Sequence, residues 1–443
     1  MQSEVLPAFR GLSRREIMRG GLYLGGLLVG TGATLFPRQA FASAAAEAQW
    51  PAVTQLLDDY VSGGKLPGMI AALGWGSAAP ESIARGVETR GEAAPVTMDS
   101  LFRVYSMTKP ITGMAAMILI DEGRLRLDQP LSDILPKFAK MQVQVTPDGS
   151  ITDLRPAKAP ITIRHLLTHT AGLGYSIVQK GPIKTAYEQA GIVPGQITRL
   201  PVPGMQQPAD MPRSLAEFAD RLAGLPLVYE PGTQWSYSVA LDLLGRVIEV
   251  VSGQPFDRFL QDRVFGPAGM DSSWFQVPKG EVGRLTSNYG VLGGFVVPLD
   301  PAQSSIYLDP PAFPFGGAGL VSSPRDYDRF LTMLLGHGVI DGRRVMSEAA
   351  VRLGTSNLLP VGAATDGTMI AGAGFGAGGR VGIGVDAGTY GWAGAAGTIA
   401  FINHRVGNRA GLYTQYMPSE AYPVQRDFPK AVIADLFRGK KAA

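Results

Sequence analysis

Strand signals lie at the two ends of this chain and helical signals fill its middle, an order that few folds accept. Short apolar runs at 69–75 and 82–87, with turn residues between them, read as strands. The next strand signals come at 382–385, 398–403 and 410–416. The last two flank His404-Arg405-Val406-Gly407-Asn408, which reads as a hairpin turn. Helical periodicity marks 161–167, 215–225, 239–251 and 256–264, with further helices at 47–61 and 424–437. One sheet assembled from both ends, with a helical domain inserted, satisfies this pattern. The expected fold class is α/β (α+β), an antiparallel sheet flanked by terminal helices around an inserted all-helical domain. The sheet domain is expected from 47–110 and 305–438, and the helical domain at 111–304. A substrate would sit in the cleft between them.

Ser106-Met107-Thr108-Lys109 heads a run containing Ile111, Met114, Ala115, Met117, Ile118 and Ile120 that reads as a mostly buried helix. Residues three apart share a helix face, so Lys109 is carried back over Ser106. A serine hydroxyl needs a base within hydrogen-bond reach, and burial lowers a lysine's proton affinity toward that task. Pro110 is tolerated only in the first helical turn. Ser106 therefore falls at a helix N-terminus, where N–H groups and the dipole favour developing negative charge. The spacing alone means little. Ser62-Gly63-Gly64-Lys65 shares it, but two glycines and the following Leu66-Pro67-Gly68 break any helix there.

Two further stretches carry candidate chemistry. The Pro231-Gly232 turn delivers Tyr237 just before the helix that starts near Val239. A phenol beside an ammonium ionises readily, giving a base that later serves as an acid, although core packing is the commoner fate of one tyrosine. The small-residue run Tyr390-Gly391-Trp392-Ala393-Gly394-Ala395-Ala396-Gly397 enters a strand. Small side chains allow close backbone approach, so the Ala395 N–H would complete an oxyanion hole with that of Ser106. The same run also fits a tight strand turn packed on a helix.

Together these stretches resemble the class C β-lactamase-like serine hydrolases, which include β-lactamases, D,D-peptidases, D-aminopeptidases and carboxylesterases. Leu101-Phe102-Arg103-Val104-Tyr105, running into Ser106, adds to the likeness, as do 161–173 and 316–323. The resemblance covers about residues 50 to 435. It implies a β-lactamase/transpeptidase-like fold, with Ser106 as nucleophile, Lys109 as its partner and Tyr237 as general base and acid. Ser106 and Ala395 would supply the oxyanion N–H groups, and His165 and His169 would be structural. No Gly-x-Ser-x-Gly elbow sits between a strand and a helix, which disfavours a Ser-His-Asp triad. No His/Asp/Glu cluster has ligand spacing, so neither a metal nor a cofactor is expected.

Two departures bear on substrate. The family's Tyr-x-Asn is Tyr237-Ser238-Val239 here, and its Lys-Thr-Gly is Trp392-Ala393-Gly394. Losing a cation, a hydroxyl and a carboxamide removes charge-assisted recognition of a carboxylate and leaves an apolar wall. Tyr105, Trp235, Val239, Trp392, Ala393 and Gly394 are expected to contact an uncharged acyl or alkyl group, with Tyr175, Phe313 and Phe315 as further aromatics. The expectation is a serine carboxylesterase acting on a small-molecule ester. β-Lactamase, D,D-peptidase and acyltransferase activities are the alternatives of the same class, and a catalytically idle binding relative is the alternative outside it.

The formal charge of +3 is misleading, because 1–42 carries Arg10, Arg14, Arg15, Arg19 and Arg38 against Glu4 and Glu16. The remainder has 35 basic and 35 acidic residues, so nothing favours nucleic acid. Ser13-Arg14-Arg15, a glycine-diluted apolar stretch at 20–36, and Ala40-Phe41-Ala42 resemble a twin-arginine signal peptide. The expected partner is export machinery and the expected location is the periplasm or outside the cell. An uncleaved anchor is the competing reading, but seventeen residues with six glycines make a poor span. The absence of cysteine excludes disulfides and thiolate metal sites.

Overall fold

The computed structural model describes residues 38–438 apart from 203, 204, 206 and 293, with side chains from residue 44. The expected leader lies outside the described residues, save for 38–42, which begin the helix Arg38–Gln49.

Seven strands form the main sheet: β1 (Gly68–Trp75), β2 (Glu81–Gly86), β3 (Gly374–Phe375), β4 (Arg380–Val381), β5 (Thr389–Ala393), β6 (Ile399–Asn403) and β7 (Asn408–Tyr413). Their order is β3-β4-β5-β6-β7-β1-β2, and every pairing is antiparallel. β1 lies beside β7, with Ile70 opposite Tyr413 and Leu73 opposite Ala410. The two ends of the chain therefore share one sheet. Alternation along the strands sorts the side chains onto two faces. Met69, Ala71, Leu73, Ala410 and Leu412 join Val53 and Leu57 of α1 (Pro51–Val61) and Phe428 and Val432 of the closing helix Val424–Leu436. Ile70, Ala72, Ala400, Ile402 and Tyr413 enter a larger core with α2 (Thr108–Asp121), α3 (Ala240–Ser252) and α4 (Pro324–Leu335).

α2 is buried from Thr108 through Leu119, as a helix apolar on all sides must be, and Pro110 falls in its first turn. α3 and the short helix Glu348–Gly354 pack on it. Among the described residues, no helix is long and apolar enough to cross a membrane.

Local departures have local causes. The helix expected at 47–61 breaks at Trp50, because Pro51 disfavours helical backbone in the residue before it. The strand expected at 382–385 is not one. Pairing ends at Val381, and Gly384–Asp386 forms a 3-10 turn in which Gly384 has φ 59°. The segment 111–304 also carries strands, Gln142–Gln144 with Leu154–Pro156 and Asn288–Leu292 with Phe295–Asp300.

Candidate active site

Tyr105–Met107 is a 3-10 turn that leads straight into α2, placing Ser106 at the helix mouth. Lys109 returns over it, and its Nζ donates to Ser106 Oγ at 3.2 Å. In the other copy of the spacing, Ser62 and Lys65 lie exposed in a turn after α1. Tyr105 has φ 42°, an uncommon conformation that costs a bulky residue on the order of 1–3 kcal/mol. Its ring packs on Tyr307 with centroids 6.3 Å apart, and its hydroxyl accepts from Asn288 Nδ2 at 3.4 Å. The expectation that Tyr105 contacts substrate is therefore corrected: it is turned back into a core patch with Leu101 and Tyr307.

Lys109 is fully buried, so its ammonium has to be satisfied from within. Gly317 O accepts from Nζ at 2.6 Å, and the rings of Tyr237 and Tyr175 lie 4.5 and 5.7 Å from it. The segment 316–320 is laced to α2 beyond that contact. Thr112 Oγ1 donates to Gly316 O at 2.7 Å, and Leu320 N donates to Thr108 Oγ1 at 3.1 Å. From the other side, Gly317 N donates to Asp242 Oδ1 of α3 at 2.8 Å. Burial pushes the Asp242 carboxyl up to about 6, with the Lys109 charge pulling it back.

Tyr237 sits just ahead of α3 in an aromatic cage. Its ring centroid lies 4.9 Å from His169, 5.4 Å from Tyr175, 5.7 Å from Trp392 and 6.0 Å from Trp235. Its hydroxyl accepts from Trp392 Nε1 at 3.2 Å. His169 supports this turn from behind, since its Nδ1 accepts from Ser238 N at 3.2 Å and lies 2.9 Å from Ser238 Oγ. Burial, helped by the Lys109 charge, holds the His169 imidazole well below its ordinary pKa. His165 Nδ1 accepts from Thr162 N in a helix capping box, and burial pushes that imidazole down to about 4. Both rings serve the backbone, and among the described residues neither hydrogen-bonds Ser106.

Ser106, Tyr237, Trp392, Ala393, Gly394 and Ala395 line a cleft with Ile177, Val178 and Met369, part of a space of ≈ 560 Å³ that continues past β5 to Arg380, Asp386 and the closing helix at Val432 and Leu436. Ile177 and Met369 are 64% and 63% exposed, an apolar rim that the sequence does not single out. Two other expected contacts are corrected. Trp235 is buried behind Tyr237, with the rings stacked at 19°. Val239 is fully buried at the start of α3, and its N–H donates to Gly174 O at 3.3 Å. Gly394 lets β5 end against the Ser106 turn, because a Cβ there would lie 2.4 Å from Val104 O. Among the described residues the Ala395 N–H donates no hydrogen bond. Ser106 is second in its turn, where an N–H has no intrahelical acceptor. Both N–H groups are thus available to a ligand oxygen. No group of three or more His, Asp or Glu among the described residues is placed to hold a metal ion.

The serine turned onto a buried lysine and the caged tyrosine thus stand together beside β5 of the antiparallel sheet. The family model described as Beta-lactamase matches residues 53–434, and the chain belongs to that family. Protein Rv1367c of Mycobacterium tuberculosis is 38% identical over 259 residues, covering 58% of this chain and 60% of that protein. Esterase EstB of Burkholderia gladioli is 34% identical over 261 residues, covering 56% and 60%. The chain thus matches 60% of the length of each of these curated relatives. Among solved structures, EstCE1, described as a hydrolase with promiscuous acyltransferase activity, superposes with a TM-score of 0.68 at 26% identity. That match covers 88% of this chain and 100% of EstCE1.

Proposed function

We propose that this chain hydrolyses carboxylic esters of uncharged acyl groups through an acyl-enzyme on Ser106. One observation carries the reading: Lys109 Nζ stands 3.2 Å from Ser106 Oγ in a cleft whose β5 wall presents Trp392 rather than a cation. Ser106 Oγ attacks the ester carbonyl while its proton passes to the Lys109–Tyr237 pair. The N–H groups of Ser106 and Ala395 hold the developing oxyanion. Collapse expels the alcohol, which takes a proton from Tyr237, and water then releases the acid with Ser106 regenerated. Turnover of p-nitrophenyl butyrate but not of a chromogenic cephalosporin is the expected result. A fluorophosphonate should label Ser106, shown by mass spectrometry, and leave Ser106→Ala unlabelled. Cephalosporin turnover without ester turnover would reverse the assignment.

Acyl transfer is the second reading, favoured by the promiscuous acyltransferase activity of EstCE1 and by the apolar lining of the cleft. Adding a primary alcohol and measuring new ester against free acid separates the two. We further propose that the chain is exported through its leader, so periplasmic protein would begin after Ala42 on N-terminal sequencing.

A further inference from the structure

Asp242 is the one charged residue in the run Val239-Ala240-Leu241-Asp242-Leu243-Leu244, and it is buried at 1% exposure. A carboxylate in such a place needs compensation. Oδ1 receives it from Gly317 N at 2.8 Å, whereas Oδ2 is buried with no hydrogen-bond partner among the described residues. On its other side the same Gly317 residue offers its carbonyl to Lys109 Nζ at 2.6 Å. The buried anion and the buried cation are thus joined through one glycine. A Cβ on that residue would lie 2.6 Å from Asp242 Oδ2, so a larger side chain there displaces the carboxylate. Gly316 beside it is constrained more firmly, with the backbone Leu241 O 2.5 Å from the place of a Cβ.

We propose that Asp242 is a positioning residue for Lys109: its carboxylate, acting across Gly317, holds the amine on Ser106 and supplies its buried counter-charge. The inference rests on the ester-hydrolase reading of the Ser106 site. The titratable groups around the pair are Lys109 from α2, Tyr175 and His169 from the segment after Ile163–Leu167, and Tyr237 ahead of α3. The helices Leu215–Ala223 and Phe256–Leu260 meet α3 through the apolar Leu215 and Phe256 at Gly245. Protonation of Asp242, with its carboxyl raised to about 6, removes the counter-charge and so gives the reaction an acid limb.

The test compares full-length wild type, Asp242→Asn and Gly317→Ala from pH 5 to 9. Its readouts are p-nitrophenyl butyrate turnover, the rate of Ser106 labelling by a fluorophosphonate, and thermal melting. For Asp242→Asn, kcat at pH 8 should fall at least tenfold with KM within about twofold, and the acid limb should flatten. Gly317→Ala, which displaces the carboxylate but keeps its charge, should lower kcat and retain the limb. Wild-type kcat and pH profile in Asp242→Asn would overturn the proposal. So would a uniform loss with the limb intact, which is what a merely structural residue produces. Should Asp242→Asn fail to fold, Gly317→Ala decides, and wild-type kcat there overturns the proposal. The two levels separate cleanly. Wild type left unlabelled at Ser106 sinks the reading of the site, whereas labelled wild type with an equally fast Asp242→Asn sinks only the role of Asp242.

Discussion

At the scale of single residues, the site trades stability for chemistry. Asp242 ordinarily would ionise near 3.8 and here does so at about 6 because it is buried. A carboxyl whose folded pKa lies above its unfolded value favours folding when protonated. Its contribution is lost as pH rises through the window from about 4 to about 6. The shift corresponds to about 3 kcal/mol. Urea unfolding of Asp242→Asn should therefore show its stability relative to wild type improving by about that amount between pH 4 and pH 8. A pH-independent difference would mean the carboxyl is not strained in the fold. His165 works in the opposite sense: its depressed pKa lets the unfolded state bind a proton first, so acidification from about 6.5 towards 4 costs stability. Trp392 offers a catalytic counterpart. Trp392→Phe keeps an aromatic wall but deletes the bond to the Tyr237 hydroxyl. At about 0.5–1.5 kcal/mol for one hydrogen bond, kcat for p-nitrophenyl butyrate should fall about 2- to 10-fold with KM little changed.

Elements explain which parts of this design can be seen in sequence. Ser106 and Lys109 are legible because their contact is local, three residues along one helix. The sheet built from both ends is legible because β1 and β7 are short apolar runs, buried on both faces and bounded by turn residues. α4 keeps helical spacing at Tyr327, Phe330, Leu331 and Leu334, but the role of Asp326 and Asp328 beside them is not legible. Both are buried, Asp328 by pairing with Arg409 from β7, a contact no local pattern announces. Tyr105, Trp235 and Val239 suggest substrate contact because they adjoin catalytic candidates in sequence. The turn geometry sends them elsewhere, most plainly at Tyr105 with its positive φ. Asp242 carries a signal, a lone charge in an apolar helix, but its meaning depends on Gly317, 75 residues away. β5 shows why glycines in the small-residue run matter at this scale. A Cβ at Gly391 would lie 2.2 Å from Ala400 O, so the strand could not keep its register beside β6. Gly391→Ala should shift Trp392 and lower both melting temperature and ester turnover, in contrast to Trp392→Phe, which lowers turnover alone.

Across the whole molecule, the turn that carries Ser106 is held by segments drawn from distant parts of the chain. Arg103, three residues before Ser106, is fully buried and pairs with Asp300, its Nε donating to Oδ2 at 2.7 Å. The same guanidinium reaches Thr286 O at 2.6 Å and Ser305 Oγ at 2.9 Å. Its backbone is gripped by Gln415, whose side chain accepts from Arg103 N and donates to Arg103 O, each at 3.1 Å, and also accepts from the guanidinium at 3.4 Å. The guanidinium chiefly ties Thr286, Asp300 and Ser305 to the body, while the two backbone bonds to Gln415 fix the approach to the nucleophile. Removing one partner of a buried ion pair leaves an uncompensated charge and costs about 3–5 kcal/mol, whereas replacing both by apolar groups costs far less. Asp300→Asn should accordingly lose about that much in urea unfolding, and Arg103→Met with Asp300→Leu should recover only part of it, because Thr286 O, Ser305 Oγ and Ile306 N lose buried partners. In the folded double variant, Ser106 should still label with a fluorophosphonate at close to the wild-type rate, since Gln415 still holds the backbone. A double variant that folds but stays unlabelled would show instead that the buried charge itself shapes the catalytic turn.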